Sequence, residues 1–170
     1  MDVVAEGLRP RTLPELRDHS WLQDELEHLW RGCFPDVVRA NHVEARYYGS
    51  WKNRLGVISL NEDEGRTHIG VNSLLRLPDV PYYVSTITLA HEMVHYAHGF
   101  GSPLPRRHKH PHRGRVVEKE LVNRGLGSDY GRYLDWVTNR WFDFYSECLP
   151  TLGVTPGAYP YAPESFNSRG

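Results

Sequence analysis

A pair of histidines four residues apart, with a glutamate beside the first, is the part of the sequence best suited to chemistry. The run reads His91-Glu92-Met93-Val94-His95. On an α-helix, residues i and i+4 lie on one face, so both imidazoles can bind the same ion. Zinc suits them, because imidazole nitrogens bind it at ~2.0–2.1 Å and three protein ligands leave one position open. Glu92, about 100° round the helix from His91, can take a proton from water that the metal activates.

A third ligand must come from elsewhere, and several residues after the pair have suitable side chains. His98 lies one turn further along the same helix, and three imidazoles in a row match tetrahedral geometry poorly. The longer H-E-x-x-H-x-x-G-x-x-H signature is absent, because Gly101 stands where its last histidine would be. His112, just after Pro111, is the predicted third metal ligand. The alternatives that stay open are His110, His108, Glu118 and Glu120.

The chemistry also needs a group that stabilises an oxyanion beside the metal. The candidates in the downstream segments are Tyr130, Tyr133, Arg113 and either His108 or His110. Since imidazoles bind metals in their neutral form, we expect zinc affinity to fall as the pH drops below ~6.5.

Hydrophobic periodicity predicts the elements that would hold these residues. It indicates helices over Leu16–Trp30, Tyr83–Gly99, Arg115–Asn123 and Asp129–Cys148, with an aromatic core-facing stripe on the last. Strand patterns cover 42–48, 55–60 and 68–74, with hairpin-type connections between them. We therefore predict an α+β fold with a three-stranded antiparallel meander. A lead-in over 1–15 would precede one domain over 16–148, and a tail rich in Pro and Gly would follow over 149–170.

Composition limits the class of protein. A chain of 170 residues with 39% hydrophobic residues is long enough to bury the core of one domain. Two cysteines, Cys33 and Cys148, are too few for a disulfide framework. The acidic start and the lack of a run of ~18 apolar residues predict a soluble, cytoplasmic protein with no membrane partner. The oligomeric state is left open.

Charge is distributed unevenly although the formal net charge is only −1. Five cations lie within residues 106–115, namely Arg106, Arg107, Lys109, Arg113 and Arg115. The rest of the chain holds 15 Lys and Arg against 21 acids, a balance of −6. A second basic and aromatic cluster is predicted on the first hairpin and consists of Arg46, Tyr47, Tyr48, Trp51, Lys52 and Arg54. Both groups are candidates for weak DNA contact, although the acidic remainder would repel phosphate.

Residues 21–147 resemble the SprT-like zinc metallopeptidases, which include the Spartan proteases. The likeness comprises a first helix that ends in Cys33-Phe34, strands over 43–47, 54–58 and 69–75, and the motif His91–His95. The resemblance implies a zincin-like fold and an active-site helix followed by a separate helix that brings the third ligand. The family's motif for that ligand, H-G-x-x-aromatic, best matches the segment that begins at His112, where Arg113 replaces the glycine and Val116 the aromatic.

The sequence therefore predicts a zinc-dependent metalloendopeptidase that hydrolyses protein substrates, and the resemblance extends this to proteins associated with DNA. The alternative is a nucleic-acid-associated adaptor whose zinc site is structural or vestigial. That alternative depends on two observations, the cation patch over 106–115 and the basic and aromatic cluster on the first hairpin.

Overall fold

A computed structural model describes residues 17–151, which fold into three long helices, one short helix and a three-stranded sheet. The helices are α1 (His19–Cys33), α2 (Tyr82–Ala97), α3 (Val116–Leu121) and α4 (Gly127–Thr151). The strands are β1 (His42–Tyr47), β2 (Gly56–Asn61) and β3 (Arg66–Val71). The predicted α+β class is confirmed.

Helix α1 begins three residues later than predicted because Asp18 caps it. The Oδ1 atom of Asp18 accepts a hydrogen bond of 2.8 Å from the backbone N–H of Trp21. Leu22, Leu26 and Leu29 form the apolar stripe that is buried against the sheet and α2. Helix α1 ends at Cys33, and its buried stripe packs against β1, the first strand of the sheet.

The sheet is mixed, so the predicted antiparallel meander is wrong. The strand order is β1-β3-β2, with β1 parallel and β2 antiparallel to the central strand. The connection over 48–55 is no hairpin, because Asn72 holds it across the end of β3. The Asn72 amide donates to the carbonyl oxygens of Trp51 (2.8 Å) and Arg54 (2.9 Å). This connection places β2 at the outer edge of the sheet.

Helix α2 is buried on almost every side, since the sheet and α1 cover one side and the later helices cover the other. Apart from His91, Glu92, His95 and three tyrosines, its residues are apolar or small, as suits a helix inside a core. Buried hydroxyls have partners: Tyr47 donates to Ser85 at 3.0 Å, and Thr86 donates to Glu25 at 3.0 Å. The predicted His91–His95 motif therefore lies on a helix with a fixed position.

The short helix α3 is separated from α4 by a wide turn over Val122–Leu126. Gly125 has a φ of +84° there, a conformation that glycine adopts at little cost. The predicted break between the third and fourth helices is thus confirmed, although Gly127 begins α4 rather than ending α3.

The predicted lead-in over 1–15 and residues 152–170 of the predicted tail lie outside the described residues. The first three residues of that tail belong to α4. Among residues 17–151, every helix is too short or too polar to cross a membrane.

Candidate metal centre

Three imidazoles meet beside α2. His91 and His95 lie one turn apart on that helix, and His112 reaches them from the turn before α3. One ring nitrogen from each of the three lies within 4.8 Å of the others. His91, His95 and His112 are thus close enough to hold one metal ion. Among the described residues they are the one group of His, Cys, Asp and Glu side chains with this spacing.

The donor set fits zinc in ligand type and in the spacing of the helical pair. The Nε2 atoms of His91 and His95 are 3.1 Å apart, and a tetrahedral ion with bonds of ~2.0–2.1 Å would separate two nitrogens by about 3.3 Å. Two such nitrogens either share a proton or point at one cation. The ring of His112 stands 4.8 Å from that of His95, centroid to centroid, and its exposed side chain has room to close the remaining gap.

Burial keeps the helical imidazoles in the form that binds metals. It lowers the pKa of His91 to about 4, with a further contribution from His112. Burial likewise lowers the pKa of His95 to about 3, and the neighbouring imidazoles of His91 and His112 add to the effect. Both rings are therefore neutral at physiological pH. The Nδ1 atom of His95 is buried and has no hydrogen-bond partner within residues 17–151.

Glu92 lies beside the imidazoles in a tight apolar setting. Its side chain is buried, and this burial raises its pKa to about 8 against the opposing charge of Arg54. The backbone of β2 comes close to it at Gly56, where a β-carbon would stand 2.6 Å from Glu92 Oε1. The absence of a side chain at residue 56 is what leaves space for the carboxylate. A lone glycine in a strand pattern can indicate such a close approach. Gly56 is therefore a site residue that the sequence analysis did not predict, although this signal was present.

The other candidate ligands have different partners. Buried His98 forms a short hydrogen bond through Nε2 with Glu120, and the ring of His108 packs 4.6 Å from that of His98. Glu118 forms an exposed ion pair with Arg115. Among these alternatives, only His110 lines the cleft that contains the three imidazoles.

The contact between His98 and Glu120 belongs to a network that fixes α3. Glu120 Oε1 also accepts a hydrogen bond of 2.8 Å from Arg124, whose guanidinium donates to Asp36 at 2.7 Å and to the carbonyl oxygen of Cys33 at 2.9 Å. The end of α2, the helix α3 and the segment after α1 are joined in this way. His112 lies just before α3, so we expect the network to influence how close His112 comes to α2.

An open cleft of about 890 Å³ runs over the three imidazoles. One wall is the outer edge of β2, from Gly56 to Ile58, and the other is α4. The residues of α4 that line it are Tyr133, Val137, Trp141 and Phe142. The aromatic stripe predicted to be core is therefore divided: Phe144 and Tyr145 are buried among core residues, whereas part of the stripe lines the cleft.

Tyr133 is a predicted oxyanion candidate that lines the same cleft as the buried carboxyl of Glu92. Burial raises its pKa to about 12, while a hydrogen bond with Thr88 opposes the increase and the charge of Glu92 adds to it. Its hydroxyl is therefore protonated at neutral pH. Tyr133 and His110 line the cleft, whereas Tyr130, Arg113 and His108 are outside its described lining.

The two predicted basic clusters do not form single surfaces. In the first, Arg106 and Lys109 line the cleft, Arg107 and Arg113 are exposed outside its lining, and Arg115 pairs with Glu118. In the hairpin cluster, the members divide as follows: Tyr47 is buried, Arg46 pairs with Glu44, Tyr48 packs against Trp51, and Lys52 and Arg54 line the cleft. Four cations from the two clusters thus meet around one cavity.

Comparison of the chain with protein-family models, with curated proteins and with solved structures gives no match in any of the three. The assignment of this site therefore depends on the residues themselves.

Proposed function

We propose that this protein is a zinc metalloendopeptidase of the zincin type that hydrolyses peptide bonds in protein substrates. The observation that carries the proposal is the convergence of His91, His95 and His112 beside buried Glu92, at the floor of an open cleft. The donor set leaves one coordination position for chemistry, as three-ligand catalytic zinc sites do. The resemblance of residues 21–147 to SprT-like metallopeptidases points to the same class.

Zinc would supply Lewis acidity, which lowers the pKa of water and polarises a carbonyl oxygen. Glu92 would act as the general base and then pass the proton to the leaving amine. Burial raises the pKa of Glu92 to about 8 in the metal-free protein, and the positive charge of a bound zinc ion would oppose that increase and favour the carboxylate. Gly56 keeps the backbone of β2 close to the carboxylate, so that Glu92 faces the floor of the cleft with little freedom to turn.

The walls of the cleft suit an extended peptide. Within the described chain, β2 pairs only with β3 and its other edge borders the cleft, so a substrate strand can add to that edge through backbone hydrogen bonds. On the opposite wall, the protonated hydroxyl of Tyr133 is a donor that can stabilise negative charge on the carbonyl oxygen during attack. Val137 and Phe142 would contact the side chains of the substrate.

Substitution of Glu92 tests the proposal. The Glu92→Gln protein should bind about one zinc ion, as the parent does, because the amide replaces a group that is not a ligand. Its rate of cleavage of a reduced and alkylated protein substrate should fall at least ~100-fold, the usual contribution of a general base. Zinc content is measured by elemental analysis and cleavage by the appearance of new termini in mass spectrometry.

The matched control is Glu62→Gln, an exposed glutamate in the turn between β2 and β3, which should cleave at the parental rate. A Glu92→Gln protein that cleaves as fast as the parent would contradict the mechanism. A parent that binds zinc but cuts no protein substrate would favour the alternative, in which the zinc site is structural or vestigial.

A further inference from the structure

Four cations lie around the cleft in two pairs. Lys52 and Arg54 come from the connection between β1 and β2, and Arg106 and Lys109 come from the loop between α2 and α3. All four side chains are exposed. Among the described residues of the lining, Glu92 is the only acid, and it is buried at the floor of the cleft. A molecule bound in the cleft would therefore meet a strong positive potential along its length.

The first pair stands on backbone that is held in place. The carbonyl oxygen of Lys52 accepts a hydrogen bond of 2.8 Å from the indole of Trp141 on α4. The carbonyl oxygen of Arg54 accepts one of 2.9 Å from Asn72, next to β3. The backbone of this connection is thus held to α4 and to the end of β3, next to the cleft that its two cations line.

The second pair is also anchored. The guanidinium of Arg106 lies over the ring of Phe100, 5.0 Å from its centroid, and donates to the carbonyl oxygens of His108 (3.2 Å) and Lys109 (3.3 Å). The backbone N–H of Arg107 donates to the carbonyl oxygen of His98 at 2.9 Å. These contacts keep the loop folded against the end of α2, and the charge of Arg106 stays at the cleft.

Within residues 17–151, the four cations form no ion pair with an acid, although the charge of Arg54 acts on buried Glu92. Across residues 17–151, the ion pairs of the protein involve other cations, including Arg115 with Glu118 and Arg124 with Glu120. Arg115, an exposed cation outside the cleft, has an acidic partner, whereas the four cations that line the cleft have none among the described residues. Their charge is available to what the cleft binds.

We propose that the cleft selects acidic segments of its protein substrates, with Lys52 and Arg54 binding carboxylates on one side of the scissile bond and Arg106 and Lys109 binding carboxylates on the other. This rests on the proposed peptidase function and names the class of peptide that the site takes. Each cation is a specificity-determining residue, while cleavage itself stays with Glu92 and the three imidazoles.

An acidic peptide fits these charges better than a nucleic acid does. The cations line the cavity that holds the three imidazoles, so they contact what lies over the site rather than a ligand on a separate face. Outside 106–115 the chain carries a balance of −6, which would repel a long phosphate polymer as it left the cleft. A peptide segment confined to the cleft avoids that repulsion.

The test measures binding and cleavage separately on the full-length, zinc-loaded protein. The probes are two fluorescent peptides of the same length, one with glutamates spaced along it and the other with glutamines in their place. Binding is measured by fluorescence anisotropy with the Glu92→Gln protein, and cleavage with the parent. The glutamate peptide should bind about tenfold more tightly at low salt, and the difference should shrink as salt is added.

Charge-removal variants locate the effect. Lys52→Gln with Arg54→Gln, and separately Arg106→Gln with Lys109→Gln, should each reduce the preference for glutamate over glutamine about threefold or more. The matched control removes two exposed cations outside the cleft, Arg31→Gln with Arg66→Gln, and should retain the full preference.

Three outcomes separate the proposed selectivity from the peptidase function and from nucleic-acid binding. If the parent cleaves both peptides equally well and the Glu92→Gln protein binds both equally, the proposed selectivity is wrong and the peptidase function stands. If neither peptide is cleaved but the glutamate peptide binds preferentially through the four cations, the peptidase function fails and the acidic ligand class stands. If DNA displaces the glutamate peptide at concentrations below the Kd of that peptide, the cations serve a nucleic acid and the proposal is overturned.

Discussion

Gly56 in β2 lies so close to the carboxylate of Glu92 that no side chain would fit at residue 56 without displacing it. A β-carbon at residue 56 would stand 2.6 Å from Glu92 Oε1 and 2.9 Å from Cγ2 of Thr88. Both are below the contact distance that real β-carbons show. Strand β2 and Glu92, the proposed general base, are therefore in close contact. A substitution in either should displace the other.

We expect Gly56→Ala to keep the metal and lose activity. The atom that must move is the end of a flexible side chain, so the cost in stability should be about 1 kcal/mol. The displacement of the carboxylate should lower the rate of cleavage roughly 100-fold, since misplacement of a reacting group by ~1 Å has effects of that size. Gly32→Ala is the control, because a β-carbon at residue 32 has nothing within 4 Å. Equal activity of the two variants would contradict this account of Gly56.

Removal of the third imidazole should weaken the metal site. His112→Ala leaves a pair of ligands on one helix, and zinc content after dialysis should fall well below one ion per chain. His110→Ala removes a neighbouring histidine of the same loop that lines the cleft but is not one of the three converging rings, so its zinc content should match the parent. The opposite result would move the third ligand to residue 110.

The sequence could predict those parts of the site that depend on the spacing of residues close together in the chain. The helix that carries His91 and His95 follows from spacing alone, and so does the face they share. The sequence also favoured His112 over Glu118 and Glu120, and the structure supplies the reason: those two carboxylates are paired with Arg115 and His98.

The order of the strands could not be predicted in the same way. Alternating apolar residues indicate a strand but not its neighbour, and both connections had turn-like composition. The strand order depends on one buried side chain, Asn72. Its amide donates to two carbonyl oxygens of the 48–55 connection and so holds that connection across β3. For the same reason the sequence did not show that β2 would be the edge strand beside Glu92.

The hydrogen bond between His98 and Glu120 should contribute more to stability than the ion pair between Arg115 and Glu118. Glu120 bonds the buried imidazole of His98 and also Arg124, so its removal leaves the Nε2 atom of His98 without a partner. We expect Glu120→Ala to lower the free energy of unfolding of the metal-free protein by about 2 kcal/mol. Glu118→Ala, at an exposed ion pair that solvent screens, should leave the free energy of unfolding close to that of the parent.

Urea denaturation of the metal-free proteins measures both changes without a contribution from zinc binding. Glu120→Ala should also weaken zinc affinity, because α3 and the turn that carries His112 would no longer be held to α2. If the two variants were equally stable and bound zinc equally, the network would have no role in positioning His112.

The pH dependence of zinc binding should be shallower than three ordinary imidazoles would give. Three histidines with a pKa near 6.5 would each have to lose a proton below that pH, so the logarithm of the affinity would fall with a slope approaching three. The structure changes this expectation, because burial lowers the pKa of His91 to about 4 and that of His95 to about 3. A lowered pKa means that these rings stay neutral until the pH falls to those values. Protons therefore compete with zinc at no more than one of the three rings between pH 7 and about 5.

Chelator competition with the Glu92→Gln protein measures this slope without the titration of Glu92. The slope should not exceed one proton per zinc ion in that range. His91→Ala is the comparison: with one buried ligand removed, zinc affinity should be lower at every pH while the slope stays at or below one. A slope near three in the Glu92→Gln protein would mean that His91 and His95 are hydrated and titrate as free imidazoles do, and that the buried, neutral pair does not exist in solution.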